Sequence, residues 1–356
     1  SVAPYNAGAR RYDGHPPLSF PMMHCVNPSL FRAYTQVANQ CKFISYYNYG
    51  PDYEVTEGSW SQSGLGAAVQ RVNNQAAQVD DILGPGQMRS SRVAMLYSMP
   101  QEVWWPSWAL ADKRASFLGL AQEYFQPELV TDEQVLAGAL GHYDALFVLD
   151  TAVPAKVQAT IAAWVRAGGL LWTCADALAN DEYKERLDLL SDLAGIKREF
   201  SQPQRDTQEF IPVAGETRLR RHEVPPLGRN NELIRPSHFT APAGGVTRAH
   251  YTDERPACVE VTVGRGKVLY LGHCAGLSYS RRAGARGAFK WWPENGQRDL
   301  LTVPLLEAGI KRELELSVPQ VMAMPLSTPA GTVIILFAHT DDAAGAHMRN
   351  RFDDRW

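Results

Sequence analysis

The feature that most constrains the fold is a run of alternating apolar strands and helices between Arg92 and Ile196. The predicted elements are strands at 93–98, 145–150 and 170–174, a long amphipathic helix between the first two strands, and an Ala-rich helix at 155–167 that ends in Gly168-Gly169. Continuous apolar strands that alternate with helices are typical of a parallel sheet covered on both faces. The run therefore predicts a doubly wound α/β domain.

Composition narrows the class of protein. A chain of 356 residues is expected to form two or three domains, and its hydrophobic fraction of 45% and charged fraction of 21% are ordinary for a soluble protein. The net charge of -3 argues against a nucleic-acid partner, which would require a basic face. The sequence predicts no membrane span. The first residues, 1–4, show no signal peptide, although a mature exported chain would look the same, so the compartment stays open.

The cysteines give no sign of a metal site or a disulfide framework. There are five, an odd number, and none is in a C-x-x-C spacing: Cys25, Cys41, Cys174, Cys258 and Cys274. We expect them to be buried thiols, and we expect no cofactor.

The first 88 residues are predicted to form two βα units. The pattern indicates a short strand at 18–24, a helix that Asn27 caps and that runs to about Gln40, a strand at 42–46 and a helix at about 65–82. A polar, aromatic loop at 48–60 separates the second strand from the second helix. Two such units cannot close a core alone.

The remainder of the chain divides near residue 314. Beyond Phe200 a polar stretch predicts a long excursion from the sheet, and a hairpin over 257–263 and 267–272 follows it, with its turn at Gly264-Arg-Gly266. From about Ser317 two further strands are predicted, at 321–324 and 332–337.

Several of these segments resemble family 42-type β-galactosidases. The segments similar to the family's flavodoxin-like (class I glutamine-amidotransferase-like) trimerisation domain are 143–150, 154–173 and 264–272 followed by 276–279. Residues 39–50, which run into 53–61, resemble the last strand and the substrate loop of the family's (β/α)8 barrel. The resemblance implies an α/β chain in three parts: 1–88 as the last βα units of the barrel, 89–314 as the trimerisation domain, and 315–356 as a β-sandwich-like segment. It further implies a glycoside hydrolase, a carbohydrate ligand and a homotrimer.

The family's catalytic glutamates have no match in this sequence. Retaining hydrolysis needs two carboxylates that face each other across the sugar. The strand that carries the acid/base Glu is absent, and 18–24, which falls where the nucleophile's strand should be, ends in Met22-Met23-His24-Cys25 without a glutamate. Either the chain is a piece of a longer protein, or the lineage has lost the carboxylate, or the strand is misplaced. We therefore assign no catalytic residue.

The loop after the strand at 42–46 is the candidate sugar site. Aromatic rings beside carboxylates suit sugars, because the ring face stacks and the hydroxyl groups form hydrogen bonds. The resemblance makes Glu57 the nearest match to the family's substrate-holding Glu. The other candidate contacts are Trp60, Asn48, Tyr53, Asp52 and, at the end of the first strand, His24. The alternative interpretation is an ordinary polar loop.

A thiol hydrolase is the third hypothesis, after a sugar-active enzyme and a non-catalytic assembly or sugar-binding protein. Cys174 lies at the end of a predicted strand, but no glycine flanks it to relieve a nucleophile turn, and His273 beside Cys274 is no His–Glu pair. We predict an inert, buried thiol at a sheet edge. The tryptophans at 104, 105, 108, 291 and 292 fit a subunit interface or a core equally well.

Overall fold

The computed structural model of the chain describes residues 18–19, 34, 36–41, 43–44, 63–104, 108–199, 207–224, 238–284, 296–316 and 321–338. The chain forms two compact units. The larger comprises Ser91–Ala285 and Pro293–Arg312, and the smaller comprises Ser1–Ser90, Arg286–Trp292 and Glu313–Trp356. The division into three domains at 88 and 314 stays a prediction.

The elements are numbered in chain order. The strands are β1 Leu18–Ser19, β2 Phe43–Ile44, β3 Gln87–Met88, β4 Val93–Tyr97, β5 Glu128–Thr131, β6 Ala145–Val148, β7 Leu170–Cys174, β8 Lys197–Glu199, β9 Gln208–Pro212, β10 His222–Val224, β11 His238–Thr240, β12 Val246–His250, β13 Pro256–Val263, β14 Gly266–Leu271, β15 Val321–Thr328 and β16 Gly331–Ala338. The helices are α1 Ser63–Gln78, α2 Asp80–Leu83, α3 Met99–Trp104, α4 Trp108–Gln122, α5 Asp132–Leu136, α6 Ala155–Arg166, α7 Leu189–Ala194, α8 Ala275–Gly284 and α9 Gln297–Glu307.

A nine-stranded mixed sheet organises the larger unit, in the order β10-β9-β12-β13-β14-β7-β6-β4-β5. The five strands from β14 to β5 run parallel, and the remaining pairings are antiparallel. Taken in chain order, the parallel strands lie as 2-1-3-4-5, because the second strand, β5, is outermost and the first, β4, lies beside the third, β6. The predicted α/β class is confirmed.

The parallel strands are buried because their sequences are continuously apolar. Every residue of β6 and β7 is buried, and the rings of Phe147 and Trp172 stack across them with centroids 4.8 Å apart. The indole N–H of Trp172 donates to the Leu300 carbonyl of α9 at 2.8 Å, which satisfies its polar atom inside the core.

One strand of the parallel half was missed. β5 is four residues long and lies at the edge of the sheet. So short a segment of alternating buried and half-buried residues gives only a weak sequence signal for a strand. A buried carboxylate fixes it: Glu128 accepts hydrogen bonds from the Ser91 backbone N–H and the Tyr143 hydroxyl, each at 2.8 Å. The single long helix predicted before it is two helices, α3 and α4.

The prediction that the polar stretch after Phe200 leaves the sheet is wrong for three of its strands, although β11 in the same stretch pairs with β8 in a separate two-stranded sheet. β9, β10 and β12 lie within it and extend the same sheet antiparallel. The stretch is rich in charged residues because some of them form buried ion pairs. Arg248 of β12 is buried and bonds Glu216 at 2.6 Å and Glu307 at 2.6 Å. A charge that is fully paired is compatible with a strand interior.

In the smaller unit, β1 and β2 pair in parallel, as consecutive βα units require. β16, β15 and β3 form a three-stranded antiparallel sheet, whose strand β3 the sequence did not predict. The helix expected at about 65–82 is interrupted at Val79 and forms α1 and α2. Within the described residues, no helix is both long and apolar enough to cross a bilayer.

Candidate functional site

The predicted sugar-contact residues lie outside the described residues. They are Glu57, Trp60, Asn48, Tyr53, Asp52 and His24. Their assignment to a sugar site stays a prediction, and so does any role for Trp105, Trp291 and Trp292, which also lie outside the described residues.

A pocket of about 420 Å³ does occur in the smaller unit, but its chemistry does not suit a sugar. It is lined mainly by aliphatic side chains of α1, α2 and β16. Its two polar members, Tyr34 and Gln75, bond each other through the tyrosine hydroxyl and the amide oxygen. A sugar needs several converging donors and acceptors, and the described lining does not supply them.

In the larger unit, a ligand is expected at the topological switch point of the parallel sheet. In open α/β sheets the crevice lies beyond the carboxyl ends of two neighbouring strands whose connections run in opposite directions. Here those strands are β4 and β6. Ser98 follows the first strand within one residue, and Asp150 and Thr151 follow the second.

A buried lysine fills this switch point. The Lys113 ammonium of α4 lies 2.7 Å from Asp150 Oδ1 and 3.1 Å from Glu102 Oε1. The Lys113 side chain is 3% exposed and that of Asp150 is 0% exposed. Gln101 closes the other side, where its amide oxygen accepts from the Thr151 backbone N–H at 2.6 Å. The position where a doubly wound sheet usually holds a ligand is thus occupied by the protein's own ion pairs.

The carboxyl groups of this cluster have altered acidities. Burial raises the pKa of Asp150 to about 6, against the opposing effect of Lys113. Burial also raises the pKa of Asp132 to about 6, although its Oδ2 accepts from the Met99 N–H at 2.9 Å and the Ser98 hydroxyl at 3.1 Å. Acids with a pKa near 6 are suited to proton transfer. Both side chains are nevertheless shut off from solvent, so no substrate reaches them in this conformation.

Cys174 ends β7 and is buried, as predicted, but β7 is an interior strand and not a sheet edge. The turn after it forms without a glycine, because Ala175 itself has a left-handed backbone with φ 46°. A hydrogen bond from Cys274 lowers the pKa of the Cys174 thiol, but burial and the neighbouring Asp112 outweigh it and the pKa is raised. The thiolate is therefore scarce at neutral pH.

The sequence did not predict the neighbours of Cys174. The thiol donates to Asp112 Oδ2 at 3.7 Å, and this carboxyl group comes from α4, 62 residues earlier. The Asp112 carboxyl group therefore lies within hydrogen-bonding distance of the thiol, the position that a general base would need. His273 takes no part, because its Nδ1 bonds the Tyr251 hydroxyl at 2.9 Å and burial lowers its pKa to about 3.

An exposed apolar patch lies beside this end of the sheet. It consists of Met99, Val103 and Trp104 of α3 and Tyr183 of the segment after β7, each between 43% and 73% exposed. Trp104 joins the two segments, because its indole N–H donates to the Glu182 carbonyl at 3.1 Å. We call these four side chains the α3 patch. Contiguous exposed apolar surface is a common feature of interaction sites.

No protein-family model matches this sequence, and no curated protein matches it. Solved structures do match the fold. The β-galactosidase from Bacillus circulans sp. alkalophilus has a TM-score of 0.66 at 13% identity over 89% of this chain and 47% of its own. The cold-adapted β-galactosidase from Rahnella sp. R3 has a TM-score of 0.65 at 15% identity over 88% and 46%.

A third solved structure carries the family in its description. Gan42B, a GH42 β-galactosidase, has a TM-score of 0.64 at 15% identity over 92% of this chain and 49% of its own. The fold of this chain is similar to that of GH42 β-galactosidases. The chain spans about half the length of each of these enzymes. The resemblance predicted from the sequence is therefore confirmed at the level of the fold.

Proposed function

We propose that this chain is part of a carbohydrate-active protein of the GH42 type, and that its larger unit is a flavodoxin-like assembly domain. Three observations support this. The fold is similar to GH42 β-galactosidases over about half of their length. The parallel strands follow the order 2-1-3-4-5, which is that of flavodoxin-like folds. The parallel pair β1 and β2 suits the last βα units of a barrel.

The observation that carries the assembly role is the closed switch point. Lys113, Asp150 and Glu102 occupy the position where an enzyme on this fold would bind its ligand. Cys174, the candidate nucleophile of the thiol-hydrolase alternative, is buried and has a raised pKa. Neither feature suits catalysis by the larger unit.

The α3 patch is the surface that would join subunits. Tryptophan, tyrosine and methionine are enriched in protein interfaces, and the patch contains all three. We assign the α3 patch to one side of a heterologous contact, in which it meets a different surface of the neighbouring subunit. A heterologous contact that closes gives a ring, and a threefold ring is our proposal.

The assembly role predicts that a charge placed in the α3 patch dissociates the oligomer. Val103→Glu puts a carboxylate into the contact, where desolvation opposes association. Light scattering at micromolar concentration should show a trimer for the wild type and a smaller species for the variant. The matched control is Val246→Glu, an equally exposed valine of β12, at 61% against 67%. A monomeric wild type, or a trimer that persists in Val103→Glu, would contradict this prediction.

The sugar site is proposed at the loop that holds Glu57. Glu57 would accept hydrogen bonds from sugar hydroxyls, Trp60 or Tyr53 would stack on the ring, and Asn48, Asp52 and His24 would complete the contacts. The support is the resemblance of 39–61 to the family's last barrel strand and substrate loop. Hydrolysis of a β-galactoside with retention would follow where the complete protein supplies two catalytic carboxylates. A non-catalytic sugar-binding protein is the alternative.

Calorimetry with galactose on the complete protein tests this site. Glu57→Ala leaves hydroxyl groups unpaired, which costs ~1.5–3 kcal/mol, so affinity should fall about tenfold or more. Glu133→Ala, which removes an exposed carboxylate of α5, is the control and should bind as the wild type does. Equal binding by Glu57→Ala would remove Glu57 from the site. Turnover of a β-galactoside by the same protein would show a glycoside hydrolase, whereas binding without turnover would show a non-catalytic sugar-binding protein.

A further inference from the structure

Three buried side chains from distant parts of the chain meet at the carboxyl end of β7. Asp112 comes from α4, Cys174 is the last residue of β7, and Cys274 lies between β14 and α8. Their ligand atoms, one carboxylate oxygen and two sulfurs, all lie within 4.8 Å of one another. The sheet pairing creates this meeting, because β14 lies beside β7 in register, with Leu271 opposite Cys174.

The cluster carries an acid but no cation. Asp112 is fully buried, and among the described residues no basic side chain pairs with it. Its Oδ1 accepts from the Leu277 N–H at 2.8 Å, and the Gly276 N–H also bonds the carboxyl group. These backbone donors hold Oδ2 toward the Cys174 sulfur at 3.7 Å. A buried carboxylate is costly unless a cation or a proton neutralises it.

The surroundings are built to hold this arrangement closely. α8 approaches α4 so tightly that a Cβ on Gly276 would lie 2.4 Å from the Asp112 carbonyl oxygen and 2.4 Å from Ser116 Oγ. Ser116 follows Asp112 by one helical turn, and among the described residues its buried hydroxyl group has no hydrogen-bond partner. Buried polar atoms are usually paired, so a species bound close to the start of α8 would satisfy this hydroxyl group.

We propose that Asp112, Cys174 and Cys274 bind a thiophilic divalent cation of the zinc class. Two thiolates and one carboxylate form a donor set that zinc accepts, with one coordination position left for a water or a fourth group. In a tetrahedral site with metal–sulfur bonds of ~2.3 Å and metal–oxygen bonds of ~2.0–2.2 Å, the sulfur and oxygen ligands are roughly 3.5 Å apart. The observed 3.7 Å between Cys174 Sγ and Asp112 Oδ2 fits that edge.

Binding of the cation would displace protons from its ligands, so the affinity of the site should depend on pH. The cation takes the place of the two thiol protons and of any proton on Asp112, and all of these leave to solvent. Affinity should therefore rise with pH.

Cadmium titration of the reduced, chelator-treated full chain tests the proposal. Thiolate–cadmium bonds give an ultraviolet charge-transfer band, and one equivalent should saturate it while raising the melting temperature. Cys174→Ser and Cys274→Ser should each weaken the band and lower the affinity by at least ~10-fold, the scale of a disturbed metal site. The matched control is Cys258→Ser, another fully buried free thiol, which should retain both the band and the shift in melting temperature.

Asp112→Asn keeps the shape of the carboxylate. It is the variant that tests the metal site if a cysteine variant fails to fold. It should retain the metal-free melting temperature more closely than the cysteine variants do, and should still bind cadmium at least ~10-fold more weakly than the wild type. Wild-type protein that shows neither a saturable band nor thermal stabilisation would overturn the proposal. So would an unchanged band in both cysteine variants, because the cadmium would then be held by other thiols.

Discussion

Lys113 is the residue whose removal should affect stability most directly. Lys113→Met leaves Asp150 and Glu102 facing each other without their cation, and breaking a buried pair in this way costs ~3–5 kcal/mol. Arg92→Met is the control, because its pair with Asp144 is exposed and such pairs contribute ~0–1 kcal/mol. Urea unfolding of the three proteins checks the difference. A loss below ~1 kcal/mol in Lys113→Met would show that the pair is solvated.

The same substitution has a pH signature whose sign follows from the acidity of Asp150. Its pKa in the folded protein is about 6, above the value of an unfolded chain, and Lys113 opposes the rise. Without Lys113 the pKa should rise further. A raised pKa gives stability that is present below the unfolded pKa and lost as pH rises through the folded pKa. Wild type and variant lose stability in parallel up to about pH 6, so the deficit of Lys113→Met should widen only above about pH 6, as pH rises toward the variant's higher folded pKa. A constant deficit would mean that Asp150 keeps its pKa.

At the scale of elements, the β13–β14 hairpin packs closely against the end of α6. Gly266 begins β14 at a point where a Cβ would lie 2.0 Å from the Val165 carbonyl oxygen and 2.4 Å from that of Gly169. These are backbone atoms, which cannot rotate away. The Lys267 N–H donates to the Gly169 carbonyl at 3.1 Å, so the contact also starts the pairing of β14 with β7.

Gly266→Ala should therefore destabilise the larger unit by ~1–3 kcal/mol or more, as overpacking does. Thermal unfolding followed by circular dichroism measures the effect. Gly141→Ala is the matched control, since a Cβ there meets nothing within 4 Å, and its change should stay within ~0.5 kcal/mol. Equal stability of the two variants would show that β14 shifts freely against α6.

At the scale of the whole molecule, the prediction concerns the length of the native polypeptide. The chain has a mass of 39.5 kDa and aligns with about half of each similar enzyme. Where the missing barrel units belong to the same polypeptide, intact mass measurement of the native protein should give about twice this mass. A native polypeptide of 39.5 kDa would instead favour the non-catalytic protein, because the two carboxylates that retaining hydrolysis needs have no match in this sequence.

The sequence by itself determined the elements whose signal is local. The apolar runs of β4, β6 and β7, the Ala-rich α6 and the β13–β14 hairpin could be predicted because each depends on neighbouring residues. Tertiary structure alone decided the strands that pair across long distances. β5 is short and half-buried, and β9, β10 and β12 carry charges that become acceptable only when partners such as Glu216 and Glu307 meet Arg248. The same reason applies to the site. Cysteine spacing indicated no cluster, yet strand pairing brings Cys174 and Cys274, a hundred residues apart, to Asp112, because proximity in a parallel sheet is set by strand order and not by sequence distance.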